Sequence, residues 1–337
     1  MGRVLSGMRP TGPLHLGHLL GALDNWKKLQ EDHECFFMVA DLHALMGEYE
    51  NPANIRDYTE RMIFDWLACG IRPENIFIQS QIPEHAELAL ILGMVTPLGW
   101  LERNPTYKEQ LREIQGRDLT TYGFLGYPVL QTADILLYKA DKVPVGQDQL
   151  AHLELAREIT RRFKFLYKKD IFPEPSALLT PQARILGTDR RKMSKSYGNA
   201  INLADDETAI RKKVQSMVTD PARVKVSDPG HPEVCNVFSY YKIFSGDPKL
   251  VDDVYGWCSG AKKGCTDCKK RFADVLVDYL KPLGQARAAM EKKNKAQKIA
   301  VMDLIKSGQA RAQDRARKTL AEVKELLSLG AGAFSKS

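Results

Sequence analysis

The chain has 337 residues, 44% of them hydrophobic and 27% charged, with a formal net charge of +7. That length allows two domains and a sizeable core, and the composition excludes a disordered or fibrous protein. The most apolar segment, Cys35 to Met46, is interrupted by Asp41 and His43, and MGRVLSGMRPTG lacks the apolar run of a signal peptide. The expectation is a cytoplasmic protein with no membrane partner.

Val4-Leu5-Ser6 reads as a short strand that leads into the turn Met8-Arg9-Pro10-Thr11-Gly12-Pro13. A helical pattern follows, with Leu16, Leu19, Leu20 and Leu23 about a turn apart. Cys35 to Ala40 is a continuous apolar run, as expected of a strand buried on both faces. Residues 54 to 69 read as a helix and Ile76-Phe77-Ile78-Gln79 as another strand. This rhythm predicts an α/β domain built on a parallel sheet, with its ligand beyond the carboxyl ends of the strands. Residues 204 to 218, 271 to 281 and 285 to 328 are rich in helix formers, which predicts a mostly helical second region. The boundary is placed between a domain at 1–190 and a region at 191–337.

Two short segments carry chemistry. In Pro13-Leu14-His15-Leu16-Gly17-His18, a helix opens directly after the first strand. Its free N–H groups and dipole suit an anion, and His15 and His18 share a face. Gly17 leaves room for something flat to approach the backbone. Far downstream, RRKMSKSYGN runs from Arg190 to Asn199. Flexible ammonium groups on a loop suit a polyphosphate whose charge shifts during a reaction. Alone, the first reads equally as two surface histidines and the second as a hydrophilic linker.

Together, and in this order, they resemble the HIGH and KMSKS signatures of class I aminoacyl-tRNA synthetases. The second is matched letter for letter, and the likeness covers nearly the whole chain. It implies a Rossmann-type catalytic domain with an α-helical anticodon-binding domain. It also implies ATP with Mg²⁺, and attack of an amino-acid carboxylate on the α-phosphate followed by transfer to tRNA. His15, His18, Lys192 and Lys195 would then be catalytic. Arg9, Pro10, Thr11, Gly17, Gly146, Gln147, Asp148, Leu186, Met193, Ser194 and Ser196 would complete the ATP site. The alternatives are a nucleotidylyltransferase of the same fold family, which also uses an HxGH, and a non-catalytic RNA-binding relic.

The build resembles the tryptophanyl/tyrosyl branch, whose amino-acid and ribose segments match Tyr127 to Tyr138 and Val143 to Gln149. If helical, Tyr127, Gln131 and Asp134 share one face. Asp134 could accept from an indole N–H or a phenol O–H. Tyrosyl enzymes carry a tyrosine two residues before the turn glycine, where this chain has Leu5, so the resemblance favours tryptophan over tyrosine. It adds His43 and Gln149 to the amino-acid pocket. Arg9 and Gln131 depart from the glutamine and methionine of many tryptophanyl enzymes, and both alter the pocket wall.

Of six cysteines, Cys35 and Cys69 read as core. Cys235, Cys258, Cys265 and Cys268 cluster, and the last pair forms CxxC. Four thiolates suit tetrahedral zinc or an iron–sulfur cluster. The spacing resembles a subset of bacterial tryptophanyl-tRNA synthetases with a 4Fe-4S cluster, which is the preferred assignment, with a structural or tRNA-proximal role. From Lys281 onward the chain is studded with cations, including Arg287, Lys292, Lys293, Lys295, Lys298, Arg311, Arg315, Arg317 and Lys318. These suit RNA phosphates, and the branch implies tRNA(Trp) and a homodimer.

Overall fold

The computed structural model describes residues 2–105, 107–108, 120–146, 149–179 and 185–330, apart from the side chain of Ser196. The strands are β1 (Arg3–Met8), β2 (Glu34–Val39), β3 (Ile76–Ile78), β4 (Lys142–Val145) and β5 (Ser176–Leu179). The helices of the first region are α1 (Leu16–His18), α2 (Asp24–Asp32), α3 (Asp41–Glu48), α4 (Ile55–Ala68), α5 (Glu84–Val95), α6 (Leu98–Glu102), α7 (Tyr122–Leu137) and α8 (Leu150–Tyr167). Those that follow are α9 (Glu207–Gln215), α10 (Asn236–Phe244), α11 (Pro248–Ser259), α12 (Cys265–Gln297), α13 (Val301–Leu304) and α14 (Lys306–Leu326).

All described pairings in the sheet are parallel, in the order β3-β2-β1-β4-β5. The chain builds outward from β1 to one edge and then returns to build the other. That reversal beside β1 is the switch point where open α/β sheets bind ligands. The expected Rossmann-type sheet is therefore present.

Both faces of the sheet are covered, which explains the unbroken apolar run in β2. Cys35, Phe37 and Val39 point into one core, while Phe36, Met38 and Ala40 point into the other. On the first face Trp26 stacks on Phe37 at 4.5 Å and meets Trp66 edge-on at 4.9 Å. Each such ring, once buried, contributes about 1.5–3 kcal/mol. The same core continues through Met193, Ile201 and Leu203 into the helical region, ending at Phe272, Leu276 and Leu280. Arg287 of α12 pairs at 3.2 Å with Asp65 of α4, and both side chains are largely buried.

Two expectations need adjustment. Gln79 belongs to a 3₁₀ turn rather than to β3, and the first helix passes through a π-helical turn at Leu19–Leu23. The helical region also differs in detail. α12 runs unbroken through Pro282, because the loss of one backbone hydrogen bond is outweighed by packing against α4, α9 and α10. α10 was not anticipated, although Val237, Phe238, Tyr240, Tyr241 and Phe244 form a buried stripe.

The last helix, α14, lies against β3, α5, α7 and the 3₁₀ turn at Pro73–Asn75. Gln309 Oε1 accepts from Ile78 N at 2.9 Å, and Lys139 and Lys324 pair with Glu322 and Glu87 across the contact. Close approach is possible because residue 308 is glycine. A Cβ there would collide with the carbonyl oxygens of Ile76 and Pro73. In an isolated helix Gly→Ala would stabilise by about 1 kcal/mol. Here Gly308→Ala is expected to destabilise by about 1–3 kcal/mol, since backbone cannot yield as a side chain can. A thermal melt that rises in the variant would refute this account of the docking.

Candidate active site

β1 delivers the first signature to the switch point, and the downstream chain locks onto it. Leu16 N donates to Ile201 O at 3.0 Å and Leu203 N to Leu14 O at 2.9 Å, forming a bridge between His15 and Asn202. The histidine segment and the segment just after the lysine loop are thus backbone neighbours. Gly12 lies against the Lys195 side chain, which completes the approach of the two signatures.

His15 is the N-cap of α1 rather than a residue of its first turn. Its Nδ1 accepts from Gly17 N at 3.1 Å, and His18 Nδ1 accepts from His15 N at 3.1 Å, a reciprocal capping box. His18 N donates to His15 O at 2.8 Å. Every N–H from residue 15 to 18 therefore already has a partner within the protein. The expected open helix N-terminus for an anion is corrected: the rings occupy that place. Burial, and then the nearby Lys195 cation, lower the His15 pKa to about 4. Burial, His15 and Lys195 hold His18 well below its usual value. Both rings are consequently neutral near pH 7. With each Nδ1 accepting, the proton resides on Nε2, so each ring retains one N–H donor for an outside partner.

The lysine loop is organised by a residue that the motif reading left aside. Asn199 is buried, and its Oδ1 accepts from Ser194 N at 2.8 Å. Its Nδ2 donates to Lys192 O at 3.1 Å and to Asp189 Oδ1 at 2.7 Å. A side chain at Gly187 would collide with the Asn199 amide. Leu186 bridges to Lys192, and its carbonyl accepts from the Tyr240 hydroxyl. Met193 is buried as an anchor, Lys192 is exposed and Lys195 half-buried. Of the residues expected to face a nucleotide, Pro10 is buried, Arg9 and Thr11 are exposed, and Gly146 follows β4 directly. Gln147 and Asp148 lie outside the described residues, as does the Ser196 side chain.

In α7, Tyr127, Gln131 and Asp134 do occur on one helix. Asp134 is 1% exposed, so its carboxylate depends on protein partners rather than on water. Its Oδ2 accepts from His43 Nε2 at 2.7 Å, and its Oδ1 from Gln79 Nε2 at 2.8 Å and His85 Nδ1 at 2.6 Å. Burial alone would raise its pKa, but His43 and then His85 hold it at about 2. His85 Nε2 in turn meets the Tyr138 hydroxyl at 2.8 Å. Tyr127 hydrogen-bonds His152, which also contacts Asn104 at 3.1 Å. Leu5 is buried in the same core as Phe36 and Met38. Gln131 and Gln149 are half-buried, and Gln149 N donates to Gly146 O at 3.0 Å. Gln79, His85, Asn104 and His152 were missed from sequence. A buried histidine carries no spacing signal until its partners 49 residues away are known.

The family description "tRNA synthetases class I (W and Y)" matches residues 2–281. A tryptophan–tRNA ligase of Thermotoga maritima is 48% identical, over 97% of this chain and 99% of that one. That of Aquifex aeolicus is 41% identical, over 97% of this chain and all of its own. The chain belongs to the tryptophan–tRNA ligases. A tryptophanyl-tRNA synthetase from Campylobacter jejuni, solved with ADP and tryptophan, has the same fold. Its TM-score is 0.88 at 30% identity, over 97% of this chain and all of that one. For a member of the tryptophan–tRNA ligases, the tyrosyl, nucleotidylyltransferase and relic alternatives fall away.

The four clustered cysteines are all free. Cys235 caps α10, Cys258 lies near the end of α11, and Cys265 and Cys268 open α12. Burial pushes the Cys268 thiol up to about 12, reinforced by Cys235, Cys258 and Cys265, so the four are electrostatic neighbours. Among the described residues no group of three or more His, Cys, Asp or Glu is arranged to hold a metal ion. Among the same residues no helix is long and apolar enough to cross a membrane. The basic stripe is partly consumed within the fold. Arg287 pairs with Asp65, Arg317 with Glu84 and Lys318 with Asp314, and Arg311 lies over Phe36. Lys292, Lys293, Lys295 and Lys298 remain exposed.

Burial, and then Arg9, lower the Lys195 pKa from 10.5 to about 8. Its cation is present below that pH and lost as pH rises through it. For the free enzyme, kcat/KM for ATP should therefore fall above pH 8, and Lys195→Arg should abolish that limb because a guanidinium stays charged. A limb unchanged in Lys195→Arg would assign it to another group.

Proposed function

We propose that the chain joins ATP and L-tryptophan into tryptophanyl-adenylate, releasing pyrophosphate, and then transfers the tryptophanyl group to tRNA(Trp). The observation that carries this reading is the joining of the two signature segments at the switch point, beside a buried, ionised acceptor. The Nε2–H donors of His15 and His18 bind phosphate oxygens. Lys192 and Lys195, aided by Arg9, hold the charge that accumulates on the departing pyrophosphate. Pro10, Thr11, Gly17, Gly146, Gln147, Asp148, Leu186, Met193, Ser194 and Ser196 complete the nucleotide site. Catalysis here is positioning and electrostatic stabilisation, since the attacking carboxylate needs no activation. Mg²⁺ supplies further neutralisation of the phosphates when bound.

Asp134 accepts the indole N–H, with Leu5 and His43 lining the ring and Tyr127, Gln131 and Gln149 completing the amino-acid site. An ionised acceptor can take a phenol as readily as an indole, so Leu5 decides: it offers a tyrosine hydroxyl no partner. Amino-acid-dependent ATP–pyrophosphate exchange tests the assignment. Tryptophan should exceed tyrosine in kcat/KM by about a thousandfold or more. Comparable exchange with tyrosine would overturn the reading of the pocket.

The four clustered cysteines suit a 4Fe-4S cluster held by Cys235, Cys258, Cys265 and Cys268. The residue types suit such a group: four free thiols on three elements of one region, with Cys235, Cys258 and Cys265 each acting electrostatically on the Cys268 thiol. The group would tie α10, α11 and α12 together near Lys263 and Arg271, whose cations lie over the Trp257 ring. This basic aromatic surface suits the anticodon arm. Protein purified without oxygen should contain about four irons per chain with visible absorbance. One zinc per chain and no iron would favour the tetrahedral alternative. The catalytic domain is 1–190 and the anticodon-binding region 191–337, in the cytoplasm. The protein is a homodimer, supported by exposed Leu90, Met94, Leu98 and Tyr122 on α5, α6 and α7.

A further inference from the structure

We propose that His85 is a positioning residue for tryptophan selection: held by Tyr138, it fixes Asp134 as the acceptor for the indole N–H. The inference rests on the reading of Asp134 given above. An ionised carboxylate has about four acceptor sites. Three are taken, two on Oδ1 by Gln79 and His85 and one on Oδ2 by His43. One site is left, on Oδ2, and a single donor from the substrate fills it.

The relay has a defined direction. Burial and the charge of Asp134 push the Tyr138 phenol well above its usual pKa, so it stays protonated. The ionised carboxylate of Asp134 can only accept, so His85 Nδ1 carries the proton that faces it, and Nε2 of the neutral ring is then free to accept from the protonated phenol. His85 and Asp134 are 0% and 1% exposed, so both bonds are shielded from bulk solvent. Phe77 stacks on the His85 ring at 6.0 Å between centroids, which holds its plane. Asp134 could not keep both its charge and its orientation in this core without such donors.

The test compares tryptophan with benzothienylalanine, in which sulfur replaces the ring N–H, in ATP–pyrophosphate exchange. Asp134→Asn should erase the preference for tryptophan. His85→Phe, which keeps the ring volume, should raise KM for tryptophan about tenfold to a hundredfold. KM for the analogue and both kcat values should change far less. His85→Asn keeps a donor near Nδ1 and should recover most of the loss, and Tyr138→Phe should give a smaller shift of the same sign. If Asp134→Asn leaves the preference intact, the reading of Asp134 fails. If it erases the preference while His85→Phe does not, or if His85→Phe raises KM equally for both substrates, the role of His85 is refuted. Should His85→Phe not fold, Tyr138→Phe with an unchanged preference refutes it equally.

Discussion

Two backbone hydrogen bonds, Leu16 N to Ile201 O and Leu203 N to Leu14 O, organise the site. They join segments almost two hundred residues apart, and so bring histidines set by β1 to a lysine loop that belongs to neither neighbouring strand nor helix. Backbone pairing is well suited to this because it fixes register without relying on flexible side chains. Met193, Ile201 and Leu203 then bury into the core that covers one face of the sheet. The lysine loop is therefore anchored at its middle and its exit, while Lys192 stays exposed. Asn199, bonded three ways, gives the loop its shape.

A second constraint is electrostatic. The end of the site beside Lys195 gathers cations and keeps His15 and His18 neutral, while α7 buries an anion, Asp134. On the first, burial and Lys195 together suppress imidazole protonation. On the second, burial would neutralise Asp134, but His43 and then His85, by charge and by hydrogen bond, keep it ionised. The same low-dielectric surroundings produce opposite outcomes because the partners differ. A carboxylate with three donors is a stable buried acceptor, whereas an imidazole beside an ammonium is a stable buried base.

The helical region is bound to the sheet domain at both ends. Near its start, the first core runs without interruption into α9, α10 and α12. At its end, α14 returns to the opposite face, where Ala312, Ala316 and Leu320 complete the second core. Gly308 permits that return by letting helix backbone meet strand backbone. The lysine loop lies between the sheet domain and the helical region, and its buried Met193 belongs to the core that the two share.

The sequence by itself determined the elements and the chemistry: the doubly buried β2, the helix of α4, the two signatures and the cysteine quartet. These are local, carried by periodicity and by residue types at short spacing. Tertiary structure decided which groups meet. His85 and Asp134 are 49 residues apart, Gln79 and Asp134 are 55 apart, and Asn236 reaches Gly187 O across another 49. No period connects such pairs, since a buried polar residue is justified only by a partner that folding brings to it. It was likewise the fold that made His15 a cap and so paired the helix N–H groups that the sequence leaves open to an anion. The sequence shows a histidine before a helix, but only the backbone geometry shows whose N–H group its ring accepts.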